Sequence, residues 1–112
     1  MISSVLALVL AAAAPGASPT SLNQARQAYS ACLSGALKKS LADKAKAAEF
    51  GMSLRPTCAA QEQAFRSLVI AADTAVGIKR AVAEDNAGAE IDEMISNVKE
   101  RFESAQAEAP QT

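Results

Sequence analysis

The sequence predicts an all-α fold, a small three- or four-helix bundle built on a helical hairpin that one disulfide staples. Alanine, the strongest helix former, accounts for 27 of the 112 residues. No segment alternates apolar and polar residues as a half-buried strand does, whereas apolar residues recur at helical spacing along most of the chain. The length limits the chain to one domain, which we place at residues 18–107.

The first 17 residues have the composition of a signal peptide. Residues 5–14, VLALVLAAAA, form an uncharged apolar run of 10 that is followed by Pro-Gly-Ala-Ser-Pro. A membrane-spanning helix needs about 20 apolar residues, whereas the apolar region of a secretory signal has about 7 to 15. We therefore expect cleavage near residue 17 and a periplasmic or secreted protein without a transmembrane segment. The alternative is that the run is the buried first helix of a cytosolic domain.

Two helices are predicted before the second cysteine. The first begins after Pro19 and runs to about residue 40, with one apolar face that includes Tyr29. Residues 40–43 have the pattern of a capping box with Asp in place of Glu, so a short second helix is expected to follow and to end at Gly51. Residues 52–57 contain a proline and are interpreted as the loop that reverses the chain.

Two further helices complete the prediction. Residues 58–84 have a wide apolar face typical of a central helix, and Gly77 lies within it as a point of kinking or close packing. Residues 85–88, Asp-Asn-Ala-Gly, are interpreted as a turn. The last helix, residues 89–107, has a narrow apolar stripe, and residues 108–112 are expected to fray because they carry no apolar anchor.

The two cysteines, Cys32 and Cys58, are predicted to form a disulfide, because an even count in an exported chain favours one. The bond would close a loop of about 27 residues and stabilise the fold by roughly 3 to 4 kcal/mol. A redox site more often has the spacing Cys-x-x-Cys, and a zinc site would need two further ligands in a chain without histidine. The predicted role of the pair is structural.

The charge distribution argues against a nucleic-acid partner, since 11 basic and 12 acidic residues leave a formal net charge of -1. Residues 26–80 hold 9 basic and 4 acidic side chains, and residues 81–112 hold 2 and 8, so the two parts of the chain attract each other. We interpret most of these charges as a solvated rim. A sharper hypothesis is a basic patch at the hairpin bend that faces an acidic partner or a membrane surface, formed by Lys38, Lys39, Lys44, Lys46 and Arg55.

No motif for catalysis or for binding a cofactor or metal is found, and we predict no catalytic, cofactor-binding or metal-ligating residue and hence no enzyme. The chain has no histidine, the commonest general base near neutral pH. The acidic residues Glu90, Asp92 and Glu93 suit the positive end of the last helix dipole. Tyr29 is predicted to be a core residue with its hydroxyl at the edge of the core.

The favoured functional hypothesis is a non-enzymatic helical module that binds another protein or forms a homo-oligomer through an exposed stripe of the last helix. That stripe consists of Ile91, Met94, Ile95, Val98 and Phe102. One alternative is a carrier for a small apolar ligand, because many alanines leave room between helices. Another alternative is a helical protein that associates with a membrane surface. The hypothesis with the weakest support is an enzyme that uses carboxylates or the cysteine pair.

Four features occur together in this chain: the predicted signal peptide, a Tyr-x-x-Cys-Leu segment at residues 29–33, a second cysteine, Cys58, 26 residues after the first, and an acidic last helix. In these features the chain resembles the small, alanine-rich, two-cysteine exported helical proteins of Gram-negative bacteria. The resemblance implies export to the periplasm. This group is uncharacterised and brings no activity to transfer, so the resemblance bears on localisation and not on mechanism.

Overall fold

A computed structural model describes residues 19–108, which form four α-helices and, over that range, no β-strand. This confirms the all-α prediction. The predicted signal peptide and residues 109–112 of the predicted tail lie outside the described residues. The helices are α1 (Pro19–Ala42), α2 (Ala47–Thr57), α3 (Ala59–Ala75) and α4 (Arg80–Glu108).

The middle of the fold is a helix broken in two, because α2 and α3 follow each other along the length of α1 and α4. Tyr29 of α1 stacks on Phe65 of α3, with ring centroids 6.0 Å apart. Phe50 of α2 stacks on Phe102 of α4 at 4.4 Å. At 29 residues, α4 is about 43 Å long, long enough to contact α3 near its start and α2 near its end.

The core is apolar and is formed by all four helices. Two aromatic pairs occupy it. Within the described range, no polar or charged residue is buried. Tyr29 is 1% exposed, as expected for a core residue. The buried cluster consists of Tyr29, Leu33, Leu37, Phe50, Leu54, Cys58, Phe65, Val69, Ala87, Ile91, Ile95, Val98 and Phe102.

The predicted capping box at residues 40–43 is wrong, since α1 continues to Ala42. The chain leaves α1 through a turn in which Lys44 has a φ of 56°. The N–H of Ala45 donates to the carbonyl of Ser40 at 2.9 Å, and the N–H of Lys44 donates to that of Leu41 at 3.2 Å. These two bonds are those of a Schellman motif, which satisfies the last carbonyls of a helix.

The predicted loop at residues 52–57 is also wrong, because this segment belongs to α2. Gly51 does not end the helix, since Phe50 and Leu54, four residues apart on one face, are both buried. Burying two such side chains contributes more than the roughly 1 kcal/mol that a helical glycine costs. Pro56 lies in the last turn of α2, where its missing N–H leaves out the helical bond to the Met52 carbonyl, and α2 ends at the next residue, Thr57.

Gly77 ends α3 instead of lying within a longer helix. Its φ is 90°, and the N–H groups of Gly77 and Ile78 donate to the carbonyls of Thr74 and Asp73 at 3.1 and 3.0 Å, a second Schellman motif. The turn predicted at residues 85–88 is helical instead. Ala83, Ala87 and Ile91, spaced by four residues, are all 0% exposed, so tertiary packing holds this segment in α4.

The two Schellman turns predict opposite effects of substitution. Lys44→Gly is expected to raise the free energy of unfolding by about 0.5–1 kcal/mol, because an L side chain is strained at positive φ. Gly77→Ala is expected to lower the free energy of unfolding by about 1 kcal/mol for the same reason. No atom lies within 4 Å of the added methyl group, so no new contact offsets the strain. Urea denaturation measures both. Equal signs for the two changes would contradict this account.

Candidate functional site

The stripe predicted as a binding surface on the last helix forms part of the core. Ile91 and Phe102 are 0% exposed, Ile95 and Val98 are 6% and 5% exposed, and Met94 is half-buried against the core. The stripe is buried because α4 packs against α1, α2 and α3. The stripe is therefore not an exposed contact surface, and the prediction that it is exposed is wrong.

Four of the five residues predicted as a basic patch lie at the bend between α1 and α2, and Arg55 lies further along α2. Lys38, Lys39, Lys44 and Lys46 are exposed around the bend between α1 and α2. Arg55 lies nine residues further along, about 13 Å down the helix axis, because the predicted loop is helical. It pairs with acidic side chains of α3 and α4, as described below.

The two cysteines lie where the middle helix breaks. The sulfur atoms of Cys32 and Cys58 are 2.11 Å apart, which is disulfide distance, and their Cα atoms are 5.9 Å apart. Cys58 is 1% exposed and lies between α2 and α3, while Cys32 belongs to the middle of α1. The pair thus connects the break to the continuous helix beside it.

Glu62 is the centre of a polar cluster that sequence analysis missed. Its carboxylate accepts a hydrogen bond from the Tyr29 hydroxyl at 3.3 Å. Arg55 and Arg66 lie 3.8 and 3.7 Å from it, and the Glu62 side chain is only 16% exposed. The spacing in the sequence indicates that Glu62 lies on the apolar face of this helix, because it follows Cys58 by four residues and precedes Phe65 by three.

Arginines extend this cluster to α4. The Arg55 guanidinium donates to Asp92 at 2.7 Å. Arg26 lies over the ring of Phe65, 5.3 Å from its centroid, and donates to Glu90 at 2.8 Å. The cluster therefore pairs its acidic and basic groups across all four helices.

The cluster has the chemistry of a structural contact. Burial, together with the negative charge of Glu62, raises the pKa of Tyr29 to about 12. The hydroxyl is therefore neutral at physiological pH and can donate its hydrogen bond to Glu62. Among residues 19–108, no group of three or more cysteine or carboxylate side chains is arranged to hold a metal ion.

The raised pKa of Tyr29 predicts a loss of stability at high pH. Tyr29 keeps its proton to about pH 12 when folded but loses it near pH 10 when unfolded. Between these values the folded state binds more protons, so the free energy of unfolding falls as the pH rises, by up to about 2–3 kcal/mol.

Urea denaturation at pH 9.5 and 11.5 measures this fall, with Tyr29→Phe as the control that removes its tyrosine component. Tyr29 is the only tyrosine, so absorbance at 295 nm also gives its titration midpoint directly. A midpoint near 10 in the folded protein, or the same pH dependence in both proteins, would contradict the prediction.

An open groove with a mainly apolar lining lies between α2 and α4. It measures about 350 Å³, and the buried rings of Phe50 and Phe102 lie at its base. Met52 at its edge is 76% exposed. We call this face the α2 surface and define it as Ala47, Ala48, Gly51 and Met52 of α2 with Lys99 and Glu103 of α4.

Two other grooves have more polar linings. The groove between α3 and α4, about 610 Å³, is lined by groups that include Arg66, Arg80 and Glu84, of which the last two pair with each other at 3.0 Å. A groove of about 720 Å³ beside the end of α4 is lined mainly by polar and charged side chains. No helix within residues 19–108 is long and apolar enough to cross a membrane.

Comparison with known proteins gave no match to a protein-family model, a curated protein or a solved structure.

Proposed function

We propose that this protein is an exported, non-enzymatic helical module that binds another protein chain through the α2 surface. The observation that carries the proposal is the exposure of Met52, an apolar side chain 76% open to solvent beside an apolar-based groove. Exposed apolar side chains at a concave, apolar site are typical of protein contact surfaces. The proposed class of function is the one predicted from the sequence, but the proposed contact surface lies on α2 instead of α4.

The small residues of the α2 surface favour contact with a helix or an extended segment. Ala47 and Ala48 are exposed and leave the backbone of α2 accessible to close approach. Lys99 lies over this helix, with its Cε 3.3 Å from the position of a Gly51 Cβ, so its aliphatic stem forms part of the groove. A partner would therefore meet apolar surface with charged groups at its edge.

Export and the disulfide staple are part of the same proposal. An apolar run of 10 residues followed by small residues and prolines supports a cleaved signal peptide. The distance between the cysteine sulfurs supports a covalent staple that holds the hairpin of α1 and the broken middle helix in a small bundle. An oxidising compartment such as the periplasm is where such a bond forms and persists.

Intact mass tests this part of the proposal. The protein is expressed with its own leader in a Gram-negative host and analysed before and after reduction and alkylation. We expect a mass lacking about 13 to 18 residues, with two alkylations after reduction only. A full-length mass with free thiols would contradict both export and the staple.

Site-specific cross-linking tests the α2 surface. A photoreactive residue replaces Met52 in one variant and Gln27, an exposed residue of α1, in the matched control. We expect a defined protein adduct from position 52 alone, reduced by an excess of unlabelled wild-type protein but not by Met52→Lys. No adduct at position 52, or the same adduct from both positions, would overturn the proposal.

A further inference from the structure

We infer that the α2 surface binds a second copy of the same chain in a twofold symmetric dimer, with Met52 of each copy in the groove of the other. This inference rests on the proposed function and names its partner. A twofold interface places the same patch on both subunits, so one patch must supply both the projecting group and the cavity that receives it. The α2 surface supplies both.

The projecting group is apolar, and the groove has room for it. Met52 is flexible and apolar, and its 76% exposure leaves it free to enter a groove of about 350 Å³. The walls of that groove are small, since Ala47, Ala48 and Gly51 add little bulk. Phe50 and Phe102, which line its base, are 1% and 0% exposed, so an entering methionine would contact the small residues of α2 and the aliphatic stem of Lys99.

The charges beside the groove are also self-complementary. Lys99 and Glu103 are both exposed, lie four residues apart on α4 and line the groove. Within residues 19–108 neither of them forms an ion pair at 4.0 Å or less. A twofold rotation reverses the direction of α4 and can set Lys99 of one copy opposite Glu103 of the other. The opposite charges of Lys99 and Glu103 cancel, so this pair gives an anionic lipid surface no net attraction to the groove.

The size of the surface sets the expected strength of the dimer. The helix α2 has 11 residues and is about 16 Å long, so the contact is smaller than the roughly 800 Å² per partner of a standard interface. We therefore expect weak, reversible association, with a dissociation constant of about 10 µM to 1 mM. A dimer of this strength forms at high local concentration.

Sedimentation velocity of protein purified from the periplasm, at concentrations from about 5 µM to 1 mM, tests the inference. We expect a monomer–dimer equilibrium that Met52→Lys weakens by about tenfold or more. Val76→Lys is the matched control, because Val76 is 78% exposed but lies at the turn after α3, and it should leave the equilibrium unchanged. Circular dichroism checks that both variants remain helical.

Charge exchange tests the twofold arrangement. Lys99→Glu and Glu103→Lys are each expected to weaken self-association about three- to tenfold, because like charges then face each other. Mixing the two variants should restore association, since each then supplies the charge that the other lacks.

A wild-type protein that stays monomeric at 1 mM, a dimer insensitive to Met52→Lys, or no recovery on mixing would each overturn the inference. Cross-linking from position 52 to a different protein would retain the proposed function while rejecting a second copy as the partner. Loss of both cross-linking and dimerisation would reject the α2 surface altogether.

Discussion

Replacing both Cys32 and Cys58 with alanine is expected to lower the free energy of unfolding by about 3–4 kcal/mol. The two residues are 26 positions apart, and a cross-link over a loop of this length restricts the unfolded chain by about that amount. The loss is a large share of the stability of a small domain. Urea denaturation of the two proteins under non-reducing conditions measures it.

Reduction of the wild-type protein provides the control for this experiment. A reductant should destabilise the wild type to a similar extent and should have no effect on the double alanine variant. Alanine is the suitable replacement because Cys58 is 1% exposed and a serine hydroxyl would be buried there. Equal stability of the oxidised wild type and the variant would show that the bond does not hold the fold.

Phe102→Ala is expected to lower the free energy of unfolding by about 3–5 kcal/mol. Phe102 is 0% exposed, and its ring stacks on Phe50 at 4.4 Å, so truncation leaves a cavity between α2 and α4. The position of the ring at this contact predicts that α2 loses more protection than α3. Urea denaturation measures the global loss, and hydrogen exchange resolved along the chain measures the local one.

Two comparisons separate the aromatic contact from general loss of volume. Phe102→Leu keeps most of the apolar volume and should cost less than Phe102→Ala. A double-mutant cycle with Phe50→Ala should give a coupling of about 0.5–1.5 kcal/mol if the two rings interact as a pair. Additive losses, together with uniform loss of protection along the chain, would contradict the expected role of this pair.

The sequence was sufficient to predict which residues face the core in several helices. Tyr29, Leu33 and Leu37 repeat at helical spacing within the predicted first helix, and Phe65 and Val69 do so within residues 58–84. All five are buried. These predictions are reliable because helical periodicity is a local property, and an apolar stripe that repeats every three or four residues leaves few alternatives.

The candidate site was not predictable in the same way. The sequence predicts a loop at Met52 because Gly51 and Pro56 flank it. The exposure of Met52 depends instead on which face α2 turns toward α4. The stripe from Ile91 to Phe102 has the pattern of either a core face or a contact surface. Only the positions of α1, α2 and α3 around α4 decide that it is the core.

Local sequence patterns are enough to predict the helical class, the single pair of cysteines and the apolar face of most helical segments. The tertiary structure decided where the helices end, which apolar stripe is buried and how Glu62 finds its partners. Packing prevails over these local patterns because it contributes more free energy than they do. Glycine costs a helix roughly 1 kcal/mol, whereas burying a side chain such as Phe50 or Leu54 contributes about 1.5–3 kcal/mol, so packing between distant segments overrides the local signals.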